Sequence, residues 1–220
     1  MNAGWRGIFV GLAVTAILAA ASHAGELLPT SPLYLYARWI ESPTGRVSIR
    51  SVRQCVGNLL TRSTLENATP ALEWIHQPVG LFVTAMKQNR VRACVGTLTP
   101  TADTLSEEIA RQCRRLVGED PRFPPLEAQE LEQITFFLTF AGTPEPLADP
   151  DHVDVAREGL LAEWEGRQAV LLPGEARTGQ WGIQFLRKQI RIPSDETPRF
   201  SRIPVVVIRE ARLQPDQAGR

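Results

Sequence analysis

Only three cysteines, Cys55, Cys94 and Cys113, occur in 220 residues. That is too few for a disulfide scaffold, and no two have the close spacing of a zinc knuckle. Histidine is equally scarce: three in all, of which only His76 and His152 lie in the body of the chain. No spacing of His, Asp and Glu resembles a metal site, so no metal centre is expected. An excess of charge of either sign is missing too, since 24 Lys and Arg balance 24 Asp and Glu. Without a basic stripe to meet phosphates, nucleic acid is not an expected partner. The chain also lacks a Gly-rich phosphate loop after a strand and a G-x-S-x-G elbow. These absences name no cofactor and no reaction.

One apolar run is present, from Ile8 to Ala21, preceded by Arg6 and followed by Ser22, His23 and Ala24. A charged start, a short apolar stretch and small residues flanking a cleavage point form the pattern of a secretory leader over residues 1–24. The run is shorter than the ~20 residues that span a bilayer, which favours cleavage after Ala24 over retention as an anchor. Either outcome places the remainder outside the cytoplasm. Residues 25–213 then supply one domain's worth of chain, and 214–220 read as a disordered tail.

Apolar periodicity organises that domain. Residues 31–64 read as two helical pieces punctuated by Pro43 and Gly45, with Val52, Cys55, Val56, Leu59 and Leu60 at helical spacing. Two strand-like runs, "VGLFVTAMK" and "RVRACVGTL", meet at Gln88-Asn89 and predict a hairpin. A capping-box pair, Thr104 and Glu107, opens a helix with Leu105, Ile109, Cys113 and Leu116 in one stripe, and Gly118 ends it. "ITFFLTF" alternates as a half-buried strand. A second hairpin turns at Glu165-Gly166, a short helix covers "TGQWGIQFLRKQI", and "RIPVVVIREARL" closes the domain as one strand. Hairpins mixed with helices predict an α+β fold with antiparallel pairing. Trp164 and Trp181 read as core or interface residues, and "ELEQ" and "SEEIA" as solvated charge runs.

Candidate chemistry centres on "RVRACVG". Alternation puts Arg92, Cys94 and Gly96 on one face of a strand and Val91, Ala93 and Val95 on the other. A guanidinium near a thiol favours the thiolate, and glycine on the same face leaves room for a ligand or another backbone. The competing reading of Cys94 is a small buried hydrophobe. In an oxidising compartment three thiols leave at least one unpaired, or one bridged to another molecule. Cys55 and Cys113, on helices packing onto one sheet, are the expected disulfide partners; three reduced, buried thiols are the alternative.

The connector "EDPRFPPL" holds prolines 121, 124 and 125, which fix φ and keep it extended. This predicts a rigid corner with Phe123 anchored on the core, and with Asp120 and Arg122 paired to each other or to nearby backbone. Together with "LFVTAMKQNRVRACVGTLTP", "REGLLAEWEGRQAVLLPGEA" and "WGIQFLRKQI", the string "DPRFPPL" resembles the AMMECR domain family, from about Leu33 to Leu213. Members of that family include protein A of the AmmeMemoRadiSam system. The resemblance implies a larger lobe with an antiparallel sheet and helices, and a smaller lobe with a short sheet. It also implies that Cys94 falls on the family cysteine, and that Memo-like or radical SAM proteins are pathway partners. Ala93 departs from the family's glycine, Gly174 from its Gln, and "RKQIRIP" lacks a cysteine many bacterial members carry. Two functional readings follow. The first is a binding or accessory protein that holds a protein segment or small ligand beside Arg92, Cys94, Gly96, Asp120 and Arg122. The second is an enzyme with Cys94 as nucleophile or redox thiol.

Overall fold

The computed structural model describes residues 31–62 and 71–211, so the expected leader (1–24) and tail (214–220) lie outside the described residues. Two serines, Ser31 and Ser42, accept the N-terminal backbone N–H groups of α1 (Pro32–Trp39) and α2 (Pro43–Thr61). Each helix has a proline in its first turn, where no N–H is missed. The hairpin of β1 (Gly80–Lys87) and β2 (Arg90–Thr97) turns at Gln88 and Asn89, both at positive φ as a two-residue turn requires. The capping box of Thr104 and Glu107 starts α3 (Leu105–Gly118) as expected. With β3 (Ile134–Ala141) and β8 (Val205–Arg209) the hairpin forms an antiparallel sheet in the order β2-β1-β3-β8.

The helices cover one face of this sheet. Leu81, Val83, Ala85, Ala93, Val95, Phe136, Leu138 and Phe140 pack there against Leu33, Tyr36, Val52, Val56, Ile109 and Leu116. Tyr36 stacks on Phe140 with ring centroids 4.8 Å apart.

A second antiparallel sheet, in the order β4-β7-β5-β6, comprises β4 (Glu145–Pro146), β5 (Gly159–Trp164), β6 (Arg167–Leu171) and β7 (Arg199–Ile203). Helix α4 (Gly179–Gln189) packs Ile183 and Leu186 against Leu160, Ala162, Leu171 and Phe200 to make the core of this smaller lobe. The architecture is the expected α+β fold. Among the described residues no helix is long and apolar enough to cross a membrane.

The two sheets meet, and this positions the site. Phe82 and Ala141 of the larger sheet pack with Leu161, Leu172 and Ile203 of the smaller lobe, and Cys94 lies against that cluster. The fold differs from the sequence expectation at three places. Strand β3 is buried on both faces, Thr135 and Thr139 included, with Phe137 alone half-buried, and Ala141 at its end packs into the smaller lobe. The single closing strand is two: Pro204 interrupts it, so β7 joins one sheet and β8 the other. Trp181 is not in a core; it is 44% exposed on α4, stacked on Phe185.

Candidate functional site

Cys94 pairs with Thr84 across the β1–β2 hairpin, and both side chains face the lobe junction. The Thr84 hydroxyl donates to the Cys94 sulfur at 3.2 Å. The backbone of Cys94 is gripped by the 120–126 corner: its N–H donates to Asp120 Oδ2 at 2.8 Å, and its carbonyl accepts from Arg122 Nη2 at 3.2 Å. Arg122 also donates through Nε to Asp120 Oδ1 at 3.0 Å and through Nη2 to Oδ2 at 2.9 Å. The expected Asp120–Arg122 pair is thus formed, and it fastens the corner to the strand.

The third charged member comes from the smaller lobe. Glu175, just after β6, has a buried side chain whose Oε1 lies 3.6 Å from Arg122 Nη1. Its Oε2 accepts the Leu172 N–H at 2.8 Å, while Oε1 is buried without a hydrogen-bond partner among the described residues. Burial pushes the Glu175 carboxyl up, a trend the Leu172 N–H and Arg122 only partly offset. Burial also opposes ionisation of Asp120, but the Arg122 hydrogen bonds and the N–H groups of Cys94 and Arg122 outweigh it, leaving Asp120 below the usual range.

Cys94 keeps some surface exposed, yet crowding by protein pushes its thiol well up, and the Glu175 carboxylate pushes it further. The Thr84 hydroxyl and Arg122 favour the thiolate without reversing the balance. The thiolate expected from a nearby guanidinium is therefore not favoured. Its premise also fails for Arg92, which turns away: Nε and Nη2 bind Glu130 at 3.0 and 2.8 Å, and Nη1 and Nη2 hold the carbonyls of Pro124 and Pro125.

Of the two uses expected of Gly96, a ligand or another backbone, its space goes to the neighbouring strand's backbone and the Phe82 ring. A Cβ there would collide with the ring of Phe82 and lie 2.6 Å from the Leu81 carbonyl oxygen. Phe123 is not the core anchor of the corner either. It is half-buried beneath the Arg122 guanidinium, 5.5 Å from its ring centroid, and Leu126 is the residue buried in the core. Glu130 sits in a 3₁₀ turn (Ala128–Gln133) that the sequence reads as a solvated charge run. There it binds Lys87 and Arg92, whose hydrogen bonds hold its carboxyl down to about 2. Glu175 escaped the sequence reading because nothing local distinguishes it; only the lobe packing brings it to Cys94. Cys55 on α2 and Cys113 on α3 are free thiols, and Cys55 packs against the buried cluster that includes Cys113. Among the described residues, no cluster of His, Cys, Asp and Glu could hold a metal ion.

An antiparallel sheet under three helices, joined to a small sheet-and-helix lobe through a Cys–Asp–Arg–Glu clasp, defines the class: a two-lobed α+β domain. A family model described as AMMECR1 matches residues 49–194, and the chain belongs to that family. A Methanocella arvoryzae protein is 36% identical over 117 residues, 50% of this chain and 59% of that protein. A Thermotoga maritima protein is 31% identical over 121 residues, 54% of this chain and 67% of that one. The chain thus spans less than two thirds of the first of these relatives. The crystal structure of the uncharacterized protein PH0010 from Pyrococcus horikoshii superposes with a TM-score of 0.60 at 22% identity. That match covers 75% of this chain and 90% of that one, and it speaks to the fold.

Proposed function

We propose that this chain is a binding or accessory protein whose contact surface is the 120–126 corner and whose partner is a protein segment. The observation that carries this reading is a division between two sides of the corner. On the protein side, Arg92 holds the Pro124 and Pro125 carbonyls, while the Asp120 and Arg122 side chains reach the N–H and carbonyl of Cys94. Pro121, Pro124 and Pro125 are exposed and Phe123 is half exposed on the other. Prolines with fixed φ lose little conformational freedom when a partner docks, so such a surface is preorganised. The leader pattern of residues 1–24 supports a site of action outside the cytoplasm. Finding intact Met1 in a cytosolic fraction of the native host would count against that part.

The thiol environment favours binding over nucleophilic catalysis. A nucleophilic cysteine works as a thiolate, and here burial and Glu175 both oppose that form. Iodoacetamide alkylation across the neutral and alkaline range, with peptide mapping, tests the point. Cys94 in the folded protein is expected to react more slowly than a free cysteine peptide and to gain full reactivity only on unfolding. Rapid alkylation with an inflection below the ~8.5 of free cysteine would overturn this reading in favour of a catalytic thiol.

A further inference from the structure

The clearest chemistry outside the site lies on the opposite side of the larger sheet, between α2 and α3. Cys113 is fully buried, and its sulfur is 3.9 Å from the carbonyl oxygen of Val52, one turn before Cys55 on α2. Cys55 packs against the same buried cluster and is itself only half-buried, which leaves it the more open of the two thiols to a reagent from solvent. Arg114, exposed on the next position of α3, acts on both sulfurs as a nearby positive charge. A buried thiol beside a more open one, with a positive charge near both, supplies the parts of a dithiol exchange site.

We propose that Cys55 and Cys113 form a thiol–disulfide exchange site for small anionic disulfides, with Cys55 as the attacking thiol and Cys113 as the resolving one. Cys55, as thiolate, attacks one sulfur of the small disulfide. A Cys55–S–S–R bond forms, the R–S–S–R bond breaks, and one thiolate leaves. Cys113 then releases its proton, attacks the Cys55 sulfur and expels the second thiolate. Two protein thiols become one disulfide stapling α2 to α3, and the small disulfide is reduced to two thiols. Cys113 is fully buried and Cys55 only half-buried, so a reagent from solvent meets Cys55 first. The neighbouring Cys113 also favours the Cys55 thiolate, whereas Cys55 and burial disfavour ionisation of Cys113.

The test uses the full chain with oxidised glutathione, quenched by acid and mapped without reduction. The expected product is a Cys55–Cys113 linked peptide pair, with Cys94 unlinked. Cys113→Ser should stop at a mixed disulfide on Cys55. Cys55→Ser should slow modification of Cys113 by at least ~10-fold, because the remaining thiol is buried and protonated. A wild-type chain that stays reduced overturns the proposal, as does any bridge containing Cys94 or a first mixed disulfide on Cys113. The wild-type map is read without any variant, so a folding defect in one of them does not blunt the test.

Discussion

Arg122 binds both carboxylate oxygens of Asp120 while Asp120 accepts the backbone N–H of Cys94, so one ion pair ties the corner to strand β2. Asp120 is 5% exposed and its partner somewhat more open. Removing one member of such a pair leaves the other desolvated without compensation. Asp120→Ala is therefore expected to cost about 3 kcal/mol, since it leaves the Cys94 N–H without its acceptor and takes away the two-oxygen partner of Arg122. Urea unfolding of the purified variant measures it. A loss below ~0.5 kcal/mol, the range of ordinary surface substitutions, would show that the clasp contributes nothing.

Glu130 gives the domain a pH signature. Its folded-state value of about 2 lies below that of an unfolded glutamate, ~4.3. A depressed carboxyl contributes stability that is fully present above the unfolded value and is lost as pH falls through the folded one. Partial solvent screening around Lys87 and Arg92 reduces the worth of the pair to about 1–2 kcal/mol. Glu130→Gln should therefore lower stability at neutral pH, with the gap from wild type narrowing below ~4 and closing near 2. Unfolding titrations of both proteins at several pH values decide it. A gap independent of pH would assign the loss to shape rather than charge.

How much of this was legible in the sequence depends on whether the cause was local. The Thr104 and Glu107 capping box, the Gln88-Asn89 turn and the alternation that sends Cys94 and Ala93 to opposite faces are each decided within a few residues. Each appears where the pattern puts it. The pairing of Asp120 with Arg122 is likewise a contact two residues apart. What escaped was set by the approach of distant segments. Arg92 looked like a partner for Cys94 until the 3₁₀ turn brought Glu130 to it. Glu108, in a stretch that reads as solvated, is fully buried, bonding Gln112 Nε2 and the Ala102 N–H. Glu175 joins the site only because the second lobe folds against the first.

The corner offers a direct comparison of two apolar residues three apart. Leu126 is 4% exposed within the main core, whereas Phe123 is half-buried and touches Arg122. Leu126→Ala is expected to cost ~2–4 kcal/mol through lost burial and a residual cavity. Phe123→Ala should cost only about 1 kcal/mol, because it gives up partial burial and one cation–π contact. Thermal or urea melts of the two variants test the order. A reversal, with Phe123→Ala the worse, would restore the aromatic ring as the anchor and remove it from the proposed contact surface.

Gly96 sits where the hairpin passes beneath the lobe junction, and its missing side chain is what admits the Phe82 ring. An added Cβ meets that ring and also the Leu81 carbonyl oxygen at 2.6 Å, closer than real Cβ atoms come. The ring belongs to a flexible side chain and can move, but the carbonyl is backbone in the neighbouring strand and cannot. Gly96→Ala is therefore expected to destabilise the domain by about 2–3 kcal/mol, at the upper end for overpacking. Shrinking the ring should relieve only part of this: the double variant Gly96→Ala with Phe82→Leu should stay less stable than Phe82→Leu alone by at least ~1 kcal/mol. A double-mutant cycle by urea unfolding reads both quantities. Full rescue by Phe82→Leu would mean that the ring alone dictates the glycine and that the strand backbone yields.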